Sequence, residues 1–208
     1  MIKLVVFDLD NVIIDGEAID EIGKLANVED EIAEITEKAM QGEIDFETSI
    51  KDRVQLLEGT SIEDIEKVAD ELPLMDGASE TIARLKDEDI DVAIISGSFD
   101  VVADKIKEKL GIDAVYTNSF TVEDGKLTGE VTGPLVSGSK LDVLKDHVEK
   151  AEITSKLGGN LRIRSYVPLK GKDLVEAKGD NPNHLFNKPQ VKDPIINEGA
   201  DVENSSTR

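Results

Sequence analysis

Asp8 and Asp10 stand two residues apart at the end of the apolar run Leu4-Val5-Val6-Phe7. Two ionised carboxylates so close repel each other unless a cation or a shared proton relieves them. The pair therefore points to a Mg²⁺ site, with one acid free to act as nucleophile or proton carrier. A carboxylate that attacks phosphorus needs compensating charge, donors for the phosphoryl oxygens and an acid for the leaving group. The chain offers a candidate for each role. Asp8 would attack, and Asp10 would protonate the departing oxygen. Ser96, in Ile94-Ile95-Ser96-Gly97-Ser98, would present its hydroxyl and the neighbouring backbone N–H groups to a phosphate at a helix N-terminus. Lys140, in Gly138-Ser139-Lys140, would supply a fixed positive charge.

These residues need a scaffold that brings them together. Valine and phenylalanine before Asp8 favour a buried strand, and strand carboxyl ends are where α/β sheets bind ligands. A helical stretch follows, roughly 16–72, in four amphipathic pieces. They are marked by Ile19, Ile22, Leu25 and Ala26; Ile32, Ile35 and Ala39; Phe46, Ile50, Val54 and Leu57; and Ile62, Ile65, Val68 and Leu72. Thr60 with Glu63 reads as a capping box opening the last piece. A helix over about 77–88 comes next, then a strand at 91–95 ending in Ser96-Gly97-Ser98. The following helix carries Val102, Ile106 and Leu110 on one face. Ala114-Val115-Tyr116 forms a short third strand, and 119–132 a hairpin turning at Glu123-Asp124-Gly125-Lys126. A last helix carries Leu141, Leu144 and Val148 on one side and an exposed His147. Strands alternating with helices imply an α/β fold with a doubly wound parallel sheet and an inserted helical cap. The divisions are a core of 1–14 and 74–198, a cap of 15–73 and a flexible tail of 199–208. Within the last quarter, 161–167 reads as a strand and 173–178 as a short helix.

Composition narrows the function classes. The chain has 208 residues, 39% of them apolar, and no cysteine, so thiolate metal sites and cysteine nucleophiles are excluded. No apolar run approaches the ~18 residues of a membrane span, and no signal peptide precedes the first strand, so a cytoplasmic protein is expected. The net charge of −21 argues against nucleic acid or an anionic membrane as partner. That charge sits in residues 1–150, with 37 Asp and Glu against 15 Lys and Arg; residues 151–208 hold 8 against 9. The expected partner is a small phosphorylated metabolite, bound by a monomer or homodimer.

The assembled motifs resemble the haloacid dehalogenase-like phosphohydrolases, and within them the phosphoserine phosphatase branch. Phe7-Asp8-Leu9-Asp10-Asn11-Val12 is similar to the first motif, Ile94-Ile95-Ser96-Gly97-Ser98-Phe99 to the second, and Lys140 to the third. The resemblance covers about residues 2–152. It implies that Glu17 binds a substrate ammonium and Arg53 its carboxylate, that Met40 and Phe46 wall the pocket, and that Gly97 helps bind the substrate. The physical logic agrees: an amino acid headgroup has one charge of each sign, and a planar guanidinium can hold both oxygens of a carboxylate. The fourth motif departs from the pattern. The third metal carboxylate would be Asp180, in Gly179-Asp180-Asn181; on the competing alignment Asp173 is the second Asp of the motif and Leu169 stands at the metal-ligand position. The implied function is Mg²⁺-dependent hydrolysis of a phosphomonoester through an aspartyl-phosphate, with O-phosphoserine the leading substrate and serine biosynthesis the setting. The alternatives are a relic that binds such a ligand without turnover, and phosphoryl transfer to an alcohol.

Overall fold

The computed structural model describes residues 4–150. Its elements run β1 (Leu4–Phe7), α1 (Ala18–Ala26), α2 (Glu29–Gln41), α3 (Phe46–Gln55), α4 (Ile62–Glu71), α5 (Ala78–Asp87), β2 (Asp91–Phe99), α6 (Asp100–Leu110), β3 (Ala114–Glu123), β4 (Lys126–Thr132) and α7 (Lys140–Lys150). The sheet has the order β1-β2-β3-β4. The first three strands are parallel, with Phe7 beside Ile94 and Ile94 beside Val115; β4 returns antiparallel to β3.

Strand side chains alternate between faces, and here both faces are covered. Val92, Ile94 and Val115 pack with Ile82 of α5 and Val102 and Ile106 of α6. Leu4, Val6, Ile95 and Tyr116 pack with Val143 and Leu144 of α7 on the other side. Helices on opposite faces of a parallel sheet make the doubly wound α/β architecture that the alternation of elements predicts.

Helices α1–α4 form the inserted cap. Ile19, Ile22, Ile32, Ile50, Val54, Leu57 and Ile65 close its interior, and the same apolar cluster takes in Phe99, Phe120 and Leu127 from the sheet. The Phe99 and Phe120 rings stack with centroids 4.0 Å apart. Two sets of backbone hydrogen bonds tie cap to core. One is a neck where the chain enters and leaves: Asp15 N–H donates to the Pro73 carbonyl (2.9 Å) and Met75 N–H to that of Ile13 (2.8 Å). The other joins the α3–α4 connection to the β3–β4 hairpin: Gly59 N–H donates to Leu127 O (2.8 Å), Leu127 N–H to Thr60 O (2.9 Å) and Ile62 N–H to Gly125 O (3.0 Å).

Several local expectations are corrected. The Thr60–Glu63 capping box does not form: Ser61 occupies the N-cap of α4 without a side-chain cap bond. Thr60 is drawn into the ladder with Leu127, and the Gly125 carbonyl satisfies the first amide of the helix instead. β2 runs four residues past Ile95, through a register break between Ile95 and Phe99. β3 does not stop at Tyr116 but continues into the hairpin, which turns through Asp124 and Gly125 at positive φ (50° and 76°), the pattern of a type I′ turn. His147 is buried rather than exposed, its Nδ1 2.9 Å from the Tyr116 hydroxyl. The strand and helix expected at 161–167 and 173–178 and the tail at 199–208 lie outside the described residues. Among the described residues no helix is long and apolar enough to cross a membrane.

Candidate active site

Asp8 leaves the tip of β1, next to β2 in the sheet. A tight turn follows, in which the Leu9 carbonyl accepts from the amides of Val12, Ile13 and Ile14. The turn buries Leu9 completely, between Asp8 and Asp10. One Asp8 oxygen accepts from the Leu9 N–H at 2.9 Å, and the other is ion-paired with Lys140, the first residue of α7. A carboxylate and a cation remote in sequence thus meet at one point, with 16% of the Asp8 side chain exposed.

Asp10 lies in a different environment. Its Oδ1 accepts from the Ala18 N–H at 2.9 Å and from the Ser98 hydroxyl at 3.3 Å. Asp10 thereby caps the first amide of α1, whose own N-cap residue, Glu17, makes no side-chain cap bond. Burial pushes the Asp10 pKa up to about 7, and the charges of Asp8 and Glu17 push the same way; the Ala18 and Ser98 bonds pull against them. Among the described residues both bonds fall on Oδ1, so Oδ2 is the oxygen placed to carry a proton. Two carboxylates two residues apart therefore differ: one is matched to a lysine, and the other holds a proton near neutrality.

The break in the β2 ladder explains the next group. Ser96-Gly97-Ser98 lies between the paired residues Ile95 and Phe99, so its backbone is released from regular pairing. Ser96 and Ser98 are buried, and Ser98 N–H donates to Ser96 Oγ (3.3 Å). At Gly97 a Cβ would sit 2.7 Å from Cζ of Phe46, so only glycine lets this cap ring lie against the loop. Phe46 is the first residue of α3, whose N-cap Asp45 accepts from the Thr48 N–H at 2.8 Å.

The cap contributes charge. Arg53 is 7% exposed; its Nε donates to the Ser49 carbonyl (3.2 Å) and its Nη1 to the Thr36 hydroxyl (3.4 Å). Burial lowers its pKa, while Glu17, Asp20 and Asp10 draw it back up. Glu17 is raised by burial and by Asp20, with Arg53 opposing. Opposite charges from α3 and the start of α1 thus share one field with Asp10. Met40, at 45% exposure in the last turn of α2, has no described contact with this group. Asp180, Asp173 and Leu169 lie outside the described residues.

Two residues of the arrangement were not singled out from sequence. In the sequence Ser98 reads only as part of a strand end, yet its hydroxyl donates to Asp10. Asn118 is fully buried; its Nδ2 donates to the Gly97 carbonyl and its Oδ1 accepts from the Leu135 N–H, both at 3.0 Å. It joins the serine loop to the segment that leads into Lys140. The available signal is an amide side chain in the middle of a strand, a group that must find partners once buried.

A family model described as haloacid dehalogenase-like hydrolase matches residues 2–151. The phosphoserine phosphatase of Methanocaldococcus jannaschii is 39% identical over 209 residues, covering 96% of this chain and 90% of that protein. That of Wolinella succinogenes is 37% identical over 207 residues, covering 96% and 93%. A solved substrate-bound phosphoserine phosphatase complex superposes with a TM-score of 0.68 at 41% identity, over 73% of this chain and 72% of its own. A phospho-aspartyl intermediate analogue of phosphoserine phosphatase gives 0.67 at 41% identity, over 78% and 77%.

Proposed function

This chain belongs to the haloacid dehalogenase-like hydrolases, and within that family we propose that it is a phosphoserine phosphatase, hydrolysing O-phosphoserine to serine and phosphate. The observation that carries the reading is the unequal pair at the β1 tip. Asp8 is ion-paired with Lys140, and Asp10, bonded to the Ala18 amide and the Ser98 hydroxyl, has its pKa pushed by burial up to about 7.

The residues then divide the reaction between them. An Asp8 oxygen attacks phosphorus, forming the aspartyl-phosphate as the ester P–O bond breaks. Asp10 passes its proton to the departing serine oxygen, so the alcohol leaves neutral. Asp10, now a carboxylate, takes a proton from the water that attacks the aspartyl-phosphate; phosphate leaves and Asp8 is restored. Ser96, the Gly97 amide and Lys140 bind the phosphoryl oxygens as charge shifts onto them. Glu17 receives the substrate ammonium and Arg53 its carboxylate, while Phe46 against Gly97 keeps water from the reacting centre.

The residues present fit a divalent cation. Mg²⁺ uses one or two carboxylates and completes its shell with water and phosphate. Asp8 and Asp10 form such a donor pair, and a cation would offset both the burial that chiefly raises Asp10 and the smaller push from the Asp8 charge. When bound there, Mg²⁺ would neutralise phosphoryl charge, with Asp180 or Asp173 as the candidate further ligand.

The test is phosphate release from O-phosphoserine by the full chain with Mg²⁺. Asp8→Asn should abolish it, and acid-quenching the parent during turnover should trap the phosphoryl group on Asp8 as an acyl phosphate, while turnover in heavy-oxygen water should place label in the released phosphate and none in the Asp8 carboxyl group. Near-normal release by the variant ends the proposal.

A further inference from the structure

Among the described residues, Ser49 Oγ is the buried side-chain polar atom with no hydrogen-bond partner. The residue is 1% exposed. Folded proteins rarely leave a buried hydroxyl unsatisfied, because the lost hydration is not replaced. Its position suggests what would complete it. Phe46, Ser49 and Arg53 follow the i, i+3, i+7 spacing that aligns one face of α3. At one end of this stripe the Phe46 ring lies against Gly97, beside the candidate phosphate donors. At the other end Arg53 leaves the helix, its Cα about 10 Å further along the axis at 1.5 Å per residue, and its guanidinium reaches back to the Ser49 carbonyl. Ser49 stands between them.

The hydrogen bonds around Arg53 narrow the choice of donor. Its Nε is committed to the Ser49 carbonyl, which folds the arginine stem back over the turn that carries Ser49. Thr36 Oγ1 accepts from Nη1 but donates its own proton to the Ile32 carbonyl at 2.9 Å, so it has none left for a ligand. Ser49 keeps its proton. A carboxylate offers about four lone-pair positions, and a guanidinium fork fills two of them.

We infer that Ser49 is a specificity-determining residue whose hydroxyl donates to the substrate carboxylate alongside Arg53. The inference rests on the reading of Arg53 given above and adds a second donor to it. It makes the carboxylate pocket a property of two turns of α3, with Thr36 fixing the plane of the arginine from α2.

The experiment measures binding, so it does not depend on turnover. The full chain carrying Asp8→Asn is titrated calorimetrically, with Mg²⁺ present, using O-phosphoserine and phosphoethanolamine, which lacks the carboxylate. Adding Ser49→Ala should reduce the preference for O-phosphoserine about tenfold, the size expected for a hydrogen bond to a charged group. The melting temperature of the ligand-free protein should stay level or rise, because an unsatisfied group has been removed. An unchanged preference overturns the inference, as does an equal loss for both ligands with a lower melting temperature. Equal binding of both ligands before Ser49 is altered defeats the Arg53 reading itself, and this inference with it.

Discussion

At the strand tips, Asp8 is paired with Lys140 and Asp10 with Ser98, partners 132 and 88 residues away in the chain. On the helices, Arg53 is held by Ser49, four residues before it, and by Thr36, 17 residues before. The first set exists only after the sheet has assembled. The second needs little more than two packed helices. On the proposed reading, chemistry that acts on phosphorus is built from the long-range order of the core, and discrimination among phosphomonoesters from the local order of a small helical insert. A change in the core group should affect every substrate, and a change in the cap group only those with the matching headgroup.

That division can be broken at four points. Lys140→Met removes the cation beside Asp8 and should lower turnover of O-phosphoserine and phosphoethanolamine alike, by about a hundred- to a thousandfold; a loss confined to one substrate would contradict the division. Arg53→Lys keeps the charge but loses the planar fork, and kcat/KM for O-phosphoserine should fall about a hundredfold against a few-fold for phosphoethanolamine. Gly97→Ala tests the boundary, because its Cβ would meet Phe46 at 2.7 Å. A loss of about tenfold on both substrates, partly restored by Phe46→Leu, is expected from steric overlap between loop and cap.

The smallest effect is on stability. Asp10 rises from 3.8 to about 7 on folding, so the folded chain holds that proton more tightly than the unfolded one. The resulting stabilisation is full below about pH 4 and is lost as pH rises to about 7. Asn has no proton to lose and keeps an oxygen for Ala18 and Ser98. In chelator, Asp10→Asn should therefore melt about 5 °C above the parent at pH 8 and show no advantage near pH 4. Adding Mg²⁺ to the parent should narrow the gap.

The sheet, the four cap helices and the hairpin were legible because their periods are written in apolar residues: Val5 to Phe7 and Val92 to Ile95 as buried runs, Ile50, Val54 and Leu57 as a helical face. Asp8, Asp10, Ser96 and Lys140 were legible by type and by placement at element ends. What escaped depends on partners distant in sequence. Ser98 looks like any residue of a strand end until Asp10 meets it. Asn118 looks like a break in β3 until Gly97 and Leu135 bond to it. Thr60 is a plausible cap in isolation, but the Leu127 amide claims its carbonyl. His147 reads as polar surface because nothing near it in the chain announces Tyr116.

The backbone ladder between Gly59–Ile62 and Gly125–Leu127 changes what counts as the exchangeable module. A chimera that transplants only the inserted segment between Asp15 and Pro73 would set a foreign loop against the hairpin and strand three main-chain hydrogen bonds. The unit to graft is the insert together with its matching hairpin, 119–132, joined through the neck at Ile13–Asp15 and Pro73–Met75. Swapping specificity in this scaffold is therefore a two-piece operation, and the second piece lies some fifty residues downstream of the first.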